Sequence, residues 1–154
     1  MDEDAEVYGK HAEALVRFAT VLAGPHEAAD LVHSAVCRVL ASPAWRKADN
    51  KPAYLFTAVL NEARATGRAQ GRRRRREASA AAPDLFEPPL PDPEVVAAVA
   101  ALSMRQRAVT YLTYWEDLDV ASVARNLGMS DGSVRRHLAR ARSRLRRTLD
   151  VDDH

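Results

Sequence analysis

The stretch VASVARNLGMSDGSVRRHLARARSRL, residues 120–145, decides the architecture of the C-terminal half of the chain. It reads as two helices, Val120–Leu127 and a long one from about Asp131 to Leu149, broken by a tight turn at Gly128-Met129-Ser130. Two helices that cross at such a turn need a small residue where they meet. They also need Gly, or something near it, where φ tends to be positive, and a β-branched apolar residue to seal the corner. Ala124, Gly128 and Val134 supply these at the offsets of a helix-turn-helix. Ser130 can cap the second helix through its hydroxyl, and Asp131 adds favourable charge at that positive helix end.

The second helix is divided by face. Val134, Leu138, Ala141, Leu145 and Leu149 recur at steps of three and four and form a buried stripe. Arg136, Arg140 and Arg144 share another stripe, flanked by Arg135, His137 and Arg147. A basic helix is often only a solvated face. Beside the turn signature, the same arginines point to phosphates and guanine edges. Ser133 and Arg136, early in the helix, are placed for base edges, and Arg140 and Arg144 for backbone. In the free chain this surface could be covered by the N-terminal block or by a partner.

Working outward, residues 77–93, EASAAAPDLFEPPLPDP, carry five prolines and read as an extended acidic linker. Its large apolar residues, Leu85, Phe86 and Leu90, are expected to dock on a neighbouring domain or to touch a partner. The expected division is 1–76, a helical domain; 77–93, the linker; 94–149, the helix-turn-helix domain; and 150–154, an acidic tail. Glu94–Ala101 and Arg105–Trp115 read as helices ahead of the turn motif, with Trp115 in the core. Upstream, helical patterns are carried by Val7, Ala14, Leu15, Phe18, Val21 and Leu22, then by Ala28, Leu31, Val32, Ala35, Val36, Val39 and Leu40. Gly24-Pro25 and Ser42-Pro43 end them. Pro52 suits the first turn of a third helix that buries Leu55, Val59 and Leu60, and Gly67 and Gly71 weaken its far end.

The 154 residues are 47% hydrophobic, rich in alanine, leucine, valine and arginine, and poor in β-branched runs, which favours an all-α fold of two small helical domains. The net charge of +2 hides a segregation: residues 51–76 hold 8 basic and 1 acidic side chains, residues 77–104 hold 5 acidic and no basic ones, and residues 105–149 hold 10 basic and 4 acidic. Two basic blocks around an acidic one suggest two phosphate-binding surfaces on a tether. One cysteine, an acidic N-terminus and the lack of a long apolar run lead to the expectation of a cytoplasmic protein without membrane insertion.

The flanks of the turn motif narrow the reading. Residues 101–149 resemble the fourth conserved region of extracytoplasmic-function sigma factors of RNA polymerase, through Leu102, Arg107, Leu112, Tyr114, Asp119, Val123, Ala124, Leu127, Gly128, Ser130, Gly132, Val134, Arg140, Ala141, Leu145 and Arg146. AADLVHSAVCRVL resembles the core-binding helix of the family's second region, and AYLFTAVLNEAR its promoter-melting helix, with Tyr54, Leu55 and Asn61 matching. The departures are His33 for a usual glutamine, Ala65 for a common acidic residue and Ser122 for a frequent glutamate, with milder ones at Met129 and Ser133.

The resemblance implies partners and sites. Core RNA polymerase would be bound through Asp30, Leu31, His33, Ser34 and Arg38. The minus-10 promoter element, including bases pulled from the stack, would meet Trp45, Arg46, Lys47, Lys51, Tyr54, Asn61, Arg64 and Arg68. The minus-35 element would meet Ser130, Ser133, Arg135, Arg136, His137, Arg140 and Arg144. The linker would thread near the RNA exit path, and an anti-sigma factor or other regulatory protein would be a further partner. The same residues also fit a stand-alone helix-turn-helix regulator, or a degenerate sigma-like protein that does not open promoters.

Smaller signals carry less. His33 and Cys37 lie one turn apart, but two ligands make no zinc site, and a packed cysteine beside a surface histidine is expected. Arg72–Arg76 suit a DNA backbone or a solvated helix end. Trp45 and Tyr54 are core residues or stack on an unpaired base. No phosphate loop, activated nucleophile or paired-carboxylate motif is present, so neither an enzyme nor a cofactor is expected.

Overall fold

The computed structural model describes the backbone of residues 2–77 and 93–150, and the side chains of residues 68–77 are outside the description. Its helices are α1 (Asp2–Ala23), α2 (Pro25–Ala41), α3 (Lys51–Glu77), α4 (Pro93–Ala100), α5 (Met104–Tyr114), α6 (Val120–Leu127) and α7 (Asp131–Asp150), with a 3-10 turn at Pro43–Trp45. The expected linker, with Leu85, Phe86 and Leu90, falls almost wholly outside the described residues, as does most of the acidic tail.

Each boundary has a local cause. Asn50 accepts from the Ala53 amide at 3.1 Å, so α3 starts just ahead of Pro52. Ser103 and Gln106 form a reciprocal capping box at the head of α5, both bonds 3.2 Å. Asp119 caps α6 by accepting from the Ser122 amide at 2.8 Å. These bonds hold its carboxyl below the usual carboxylate range. Gly128, at φ 63, ends α6 in the left-handed conformation that the turn requires.

Helices α1–α3 pack on one another, and α5–α7 do the same around the turn motif. The two blocks also pack together, α3 on α6 and α1 on α5, so one continuous core runs from Leu15, Phe18 and Val59 to Leu112, Val123 and Val134. Phe18 is the joint: it meets Phe56 edge-on at 5.3 Å and Tyr111 at 5.6 Å. Neither block alone offers a large core, and pairing them enlarges the buried apolar volume.

Several sequence expectations are corrected here. Gly67 does not end α3: the helix continues to Glu77, and a Cβ at Gly67 would stand 3.2 Å from Met104 Cε of α5. Leu40, near the end of α2, and Trp115, which stacks on Tyr111 just past α5, are about half exposed, at 50% and 47%. Cys37 is exposed rather than packed, with Sγ 3.7 Å from His33 Nε2. No group of three or more metal-ligating side chains forms among the described residues.

Candidate nucleic-acid interface

Helix α7 takes its rotation from burial. Val134 and Ala141 are fully enclosed and Leu138 nearly so. Their stripe packs α7 against α5 and α6. Arg135, Arg136, Arg140 and Arg144 consequently project into solvent. The N-terminus of α7 is capped by Ser130, which accepts from the Ser133 amide at 3.1 Å. The arginine face is open to solvent, so the N-terminal block does not cover it.

His137 is the exception on this face. It is half-buried, its Nδ1 is enclosed without a hydrogen-bond partner, and burial lowers its pKa, assisted by Arg105, Arg140 and Arg136. Its ring is therefore neutral near pH 7 and supports the arginines from behind.

A second surface lies on the N-terminal block. A groove of about 660 Å³ runs between α2, the 42–50 loop and α3, lined by Arg38, Ser42, Asn50, Tyr54 and Asn61 among others. Ser42 Oγ and the Tyr54 hydroxyl lie 3.4 Å apart. Tyr54 packs edge-on against Trp45 at 5.9 Å, which leaves the Tyr54 ring bordering the groove and Trp45 behind it. Arg46 and Lys47 are exposed on the loop. Lys51 lies 5.2 Å over the Trp45 ring and 3.6 Å from Glu3. Asn61 is exposed and Arg64 half-buried, whereas the Arg68 side chain and those of Arg72–Arg76 are outside the described residues.

Two of the sequence-assigned contacts are placed elsewhere. Trp45 is 3% exposed, with Nε1 donating to Asp4 at 2.9 Å, so it is a core residue and presents no ring face for a base. Leu31, expected to touch the polymerase, is inside the α1–α3 core. Asp30, His33, Ser34 and Arg38 do share an exposed face of α2, and Arg38 pairs with Glu62 at 3.2 Å.

Sequence reasoning missed a third set of residues, those that join the blocks. Arg107 Nη1 donates to the Leu22 and Val21 carbonyls at 2.9 and 3.5 Å. Arg17 donates to the Tyr111 hydroxyl at 3.4 Å, which in turn donates to Glu116 at 2.7 Å. Burial, with the Glu116 bond, pushes Tyr111 up to about 12. Thr57 Oγ1 donates to the Asn126 carbonyl at 2.7 Å, and Arg125 reaches the rim of the groove on α2 and α3. No sequence spacing links the pairs that cross between the blocks, which are 69 to 94 residues apart.

A capped turn and an arginine face with a fixed rotation define an all-helical protein of the helix-turn-helix, DNA-binding class. Residues 93–145 match the family described as Sigma-70, region 4. The chain is 32% identical over 153 residues to the RNA polymerase sigma-E factor of Streptomyces coelicolor, covering 92% of this chain and 82% of that protein. A shorter match, 41% identical over 56 residues, covers 36% of this chain and 31% of the sigma-E factor of Streptomyces antibioticus. In three dimensions it is similar to the sigma factor RpoE of Bartonella quintana, solved with the anti-sigma factor NepR. That match has a TM-score of 0.75 and 25% identity, and it covers 99% of each chain.

The chain belongs to the extracytoplasmic-function sigma factors of RNA polymerase. Its function is that of a sigma factor: it binds core polymerase and directs promoter recognition in transcription initiation. No helix among the described residues is long and apolar enough to cross a membrane.

Proposed function

We propose that the arginine face of α7 reads the minus-35 element and that the groove beside α3 holds the minus-10 element. The observation that carries the first assignment is the burial of Val134, Leu138 and Ala141, which leaves no other face of α7 free to enter a major groove. Ser133 and Arg136 meet base edges. Ser130, Arg135, Arg140 and Arg144 meet phosphates near the positive helix end and along the helix. His137 backs this face.

In the groove, Tyr54 is the aromatic surface for an unstacked base, with Asn61 on the groove wall and Arg46, Lys47, Lys51 and Arg64 as the surrounding cations. The exposed face of α2, Asp30, His33, Ser34 and Arg38, is the polymerase contact. Residues 1–76 and 94–149 then act as separate modules on the 77–93 tether. The protein acts by binding alone, without catalysis, in the cytoplasm. An anti-sigma protein is its regulator, by likeness to the Bartonella factor solved with one.

Run-off transcription with purified core polymerase tests the whole reading. Promoter-dependent transcripts are expected only when the chain and core are both present. Tight operator binding without transcripts would replace it with a stand-alone regulator. For the α2 face, Asp30→Lys is expected to weaken co-purification with core. It is a cleaner probe than any change at Arg38, whose loss would strand Glu62.

A further inference from the structure

The first turn of α1 carries Glu3 and Asp4, with Glu6 just beyond. Acidic side chains suit the positive end of a helix, which accounts for their charge but not for what two of them touch. Asp4 accepts from the Trp45 Nε1 at 2.9 Å, and Glu3 lies 3.6 Å from the Lys51 Nζ. Both reach the 42–51 segment, whose Ser42, Ala48, Asp49 and Asn50 line the groove that the proposed function gives to the minus-10 element. These contacts join parts of the N-terminal block, and none of them crosses the seam to α5–α7.

The loop between α2 and α3 depends on Trp45 for its place. Its backbone bonds are local: the Trp45, Lys47 and Ala48 amides donate to the Ser42, Ala44 and Trp45 carbonyls, which fixes a curl but not a position. Trp45 supplies the position, because its side chain is buried in the core of the block. A buried indole N–H without an acceptor is costly, and Asp4 is the acceptor. Lys51 lies over the same ring at 5.2 Å, and Tyr54 packs edge-on against it at 5.9 Å. Tyr54 in turn lines the groove. A line of contacts therefore runs from Asp4 through Trp45 to the aromatic ring of the groove wall. Glu3 acts differently. Its carboxylate is exposed and pairs with a lysine whose side chain is mostly covered. A pair with one partner in open solvent is held weakly, and a nucleic-acid phosphate of like charge can take the lysine from it.

We infer that the first turn of α1 tunes the minus-10 site: Asp4 is a positioning residue that sets the Tyr54 ring through Trp45, and Glu3 is the carboxylate that a promoter phosphate displaces from Lys51. The inference rests on the minus-10 reading of the groove. Asp4 thereby bears on which base is preferred, because the ring it positions is the surface on which an unstacked base lies. Glu3 bears on how tightly any sequence is held, because a phosphate contact carries no sequence information.

Holoenzyme reconstituted from core polymerase and the full chain, offered a pool of random single-stranded oligonucleotides, tests both roles. Sequencing the retained strands gives base preference, and the retained fraction gives overall affinity. Asp4→Ala is expected to flatten the base preference, and Asp4→Asn, which keeps an acceptor for the indole, to restore it. Trp45→Phe removes the same bond without stranding a buried N–H and is expected to flatten the preference as well. A parent-like preference in Asp4→Ala, or in Trp45→Phe should Asp4→Ala not fold, overturns the positioning role. In a Trp115→Phe background Trp45 is the one tryptophan left. Its emission is expected to move to longer wavelength with Asp4→Ala and not with Asp4→Asn, and unmoved emission overturns Trp45 as the link.

Glu3→Gln is expected to raise retention of all sequences alike by about twofold to fivefold. Lys51→Met is expected to abolish that gain. A gain that persists without Lys51, or that Glu6→Gln reproduces, overturns displacement and leaves only long-range charge. Tyr54→Ala separates these failures from failure of the groove reading. If Tyr54→Ala flattens the preference and Asp4→Ala does not, only the positioning role falls. If Tyr54→Ala leaves the preference unchanged, the groove reading falls and this inference with it.

Discussion

Arg107 reaches across the seam to the last turn of α1, where its Nη1 donates to the Leu22 carbonyl at 2.9 Å. The unpaired carbonyls of a helix C-terminus favour a cation there, so this bond ties α5 to α1 in the direction that the helix charge prefers. Substituting Arg107→Met is expected to lower the stability of the full chain by about 1.5–3 kcal/mol, as for other hydrogen bonds to charged groups. Urea denaturation checks it. A midpoint equal to the parent's would show that the bond adds nothing net to its water alternatives.

Asp117, between α5 and α6, is the only non-glycine residue among those described with positive φ, at 53. A Cβ in that conformation is crowded by the following carbonyl, although Asp tolerates it better than most. Relief of the crowding outweighs the extra chain entropy of glycine, and Asp117→Gly is expected to stabilise the chain by about 0.5–1 kcal/mol. A thermal melt that moves down would sink the idea.

His137 has a depressed pKa in the fold, so the unfolded chain binds its proton more readily. Its contribution to stability is complete above the unfolded value of about 6.5 and is lost as pH falls below it toward the folded value. His137→Gln is expected to flatten the stability profile in that window. The parent's α7 gains charge over the same range, so its non-specific DNA affinity should rise as pH drops, and the variant's should rise less. Identical pH profiles for the two proteins would remove His137 from both effects.

Arg136 and Arg140 differ in what they are expected to touch. Arg136→Ala is expected to cost about 1–3 kcal/mol on a matched minus-35 site and to relax preference at one position. Arg140→Ala is expected to weaken matched and scrambled sites alike and to reduce the salt slope by about one unit. Binding by the holoenzyme across a salt series distinguishes the two. Parent-like binding by both variants at every salt concentration would make the arginine face a solvated surface only.

By itself the sequence determined the helices, the Ser130 cap and the arginine face of α7, because each depends on neighbours within a few positions. The Ala124, Gly128 and Val134 corner is such a case: spacing dictates geometry, and the structure reproduces it at φ 63. The exposed face of α2 was legible for the same reason. Tertiary structure alone decided which aromatics are core. Trp45 is enclosed where Asp4, 41 residues away, receives its Nε1, and Trp115, stacked on Tyr111 at 6.2 Å, is left 47% exposed. It also decided that α6 rests on α3 and brings Arg125 to the groove. That contact joins surfaces remote in sequence, and shape and burial across a linker leave no periodic trace in the order of residues.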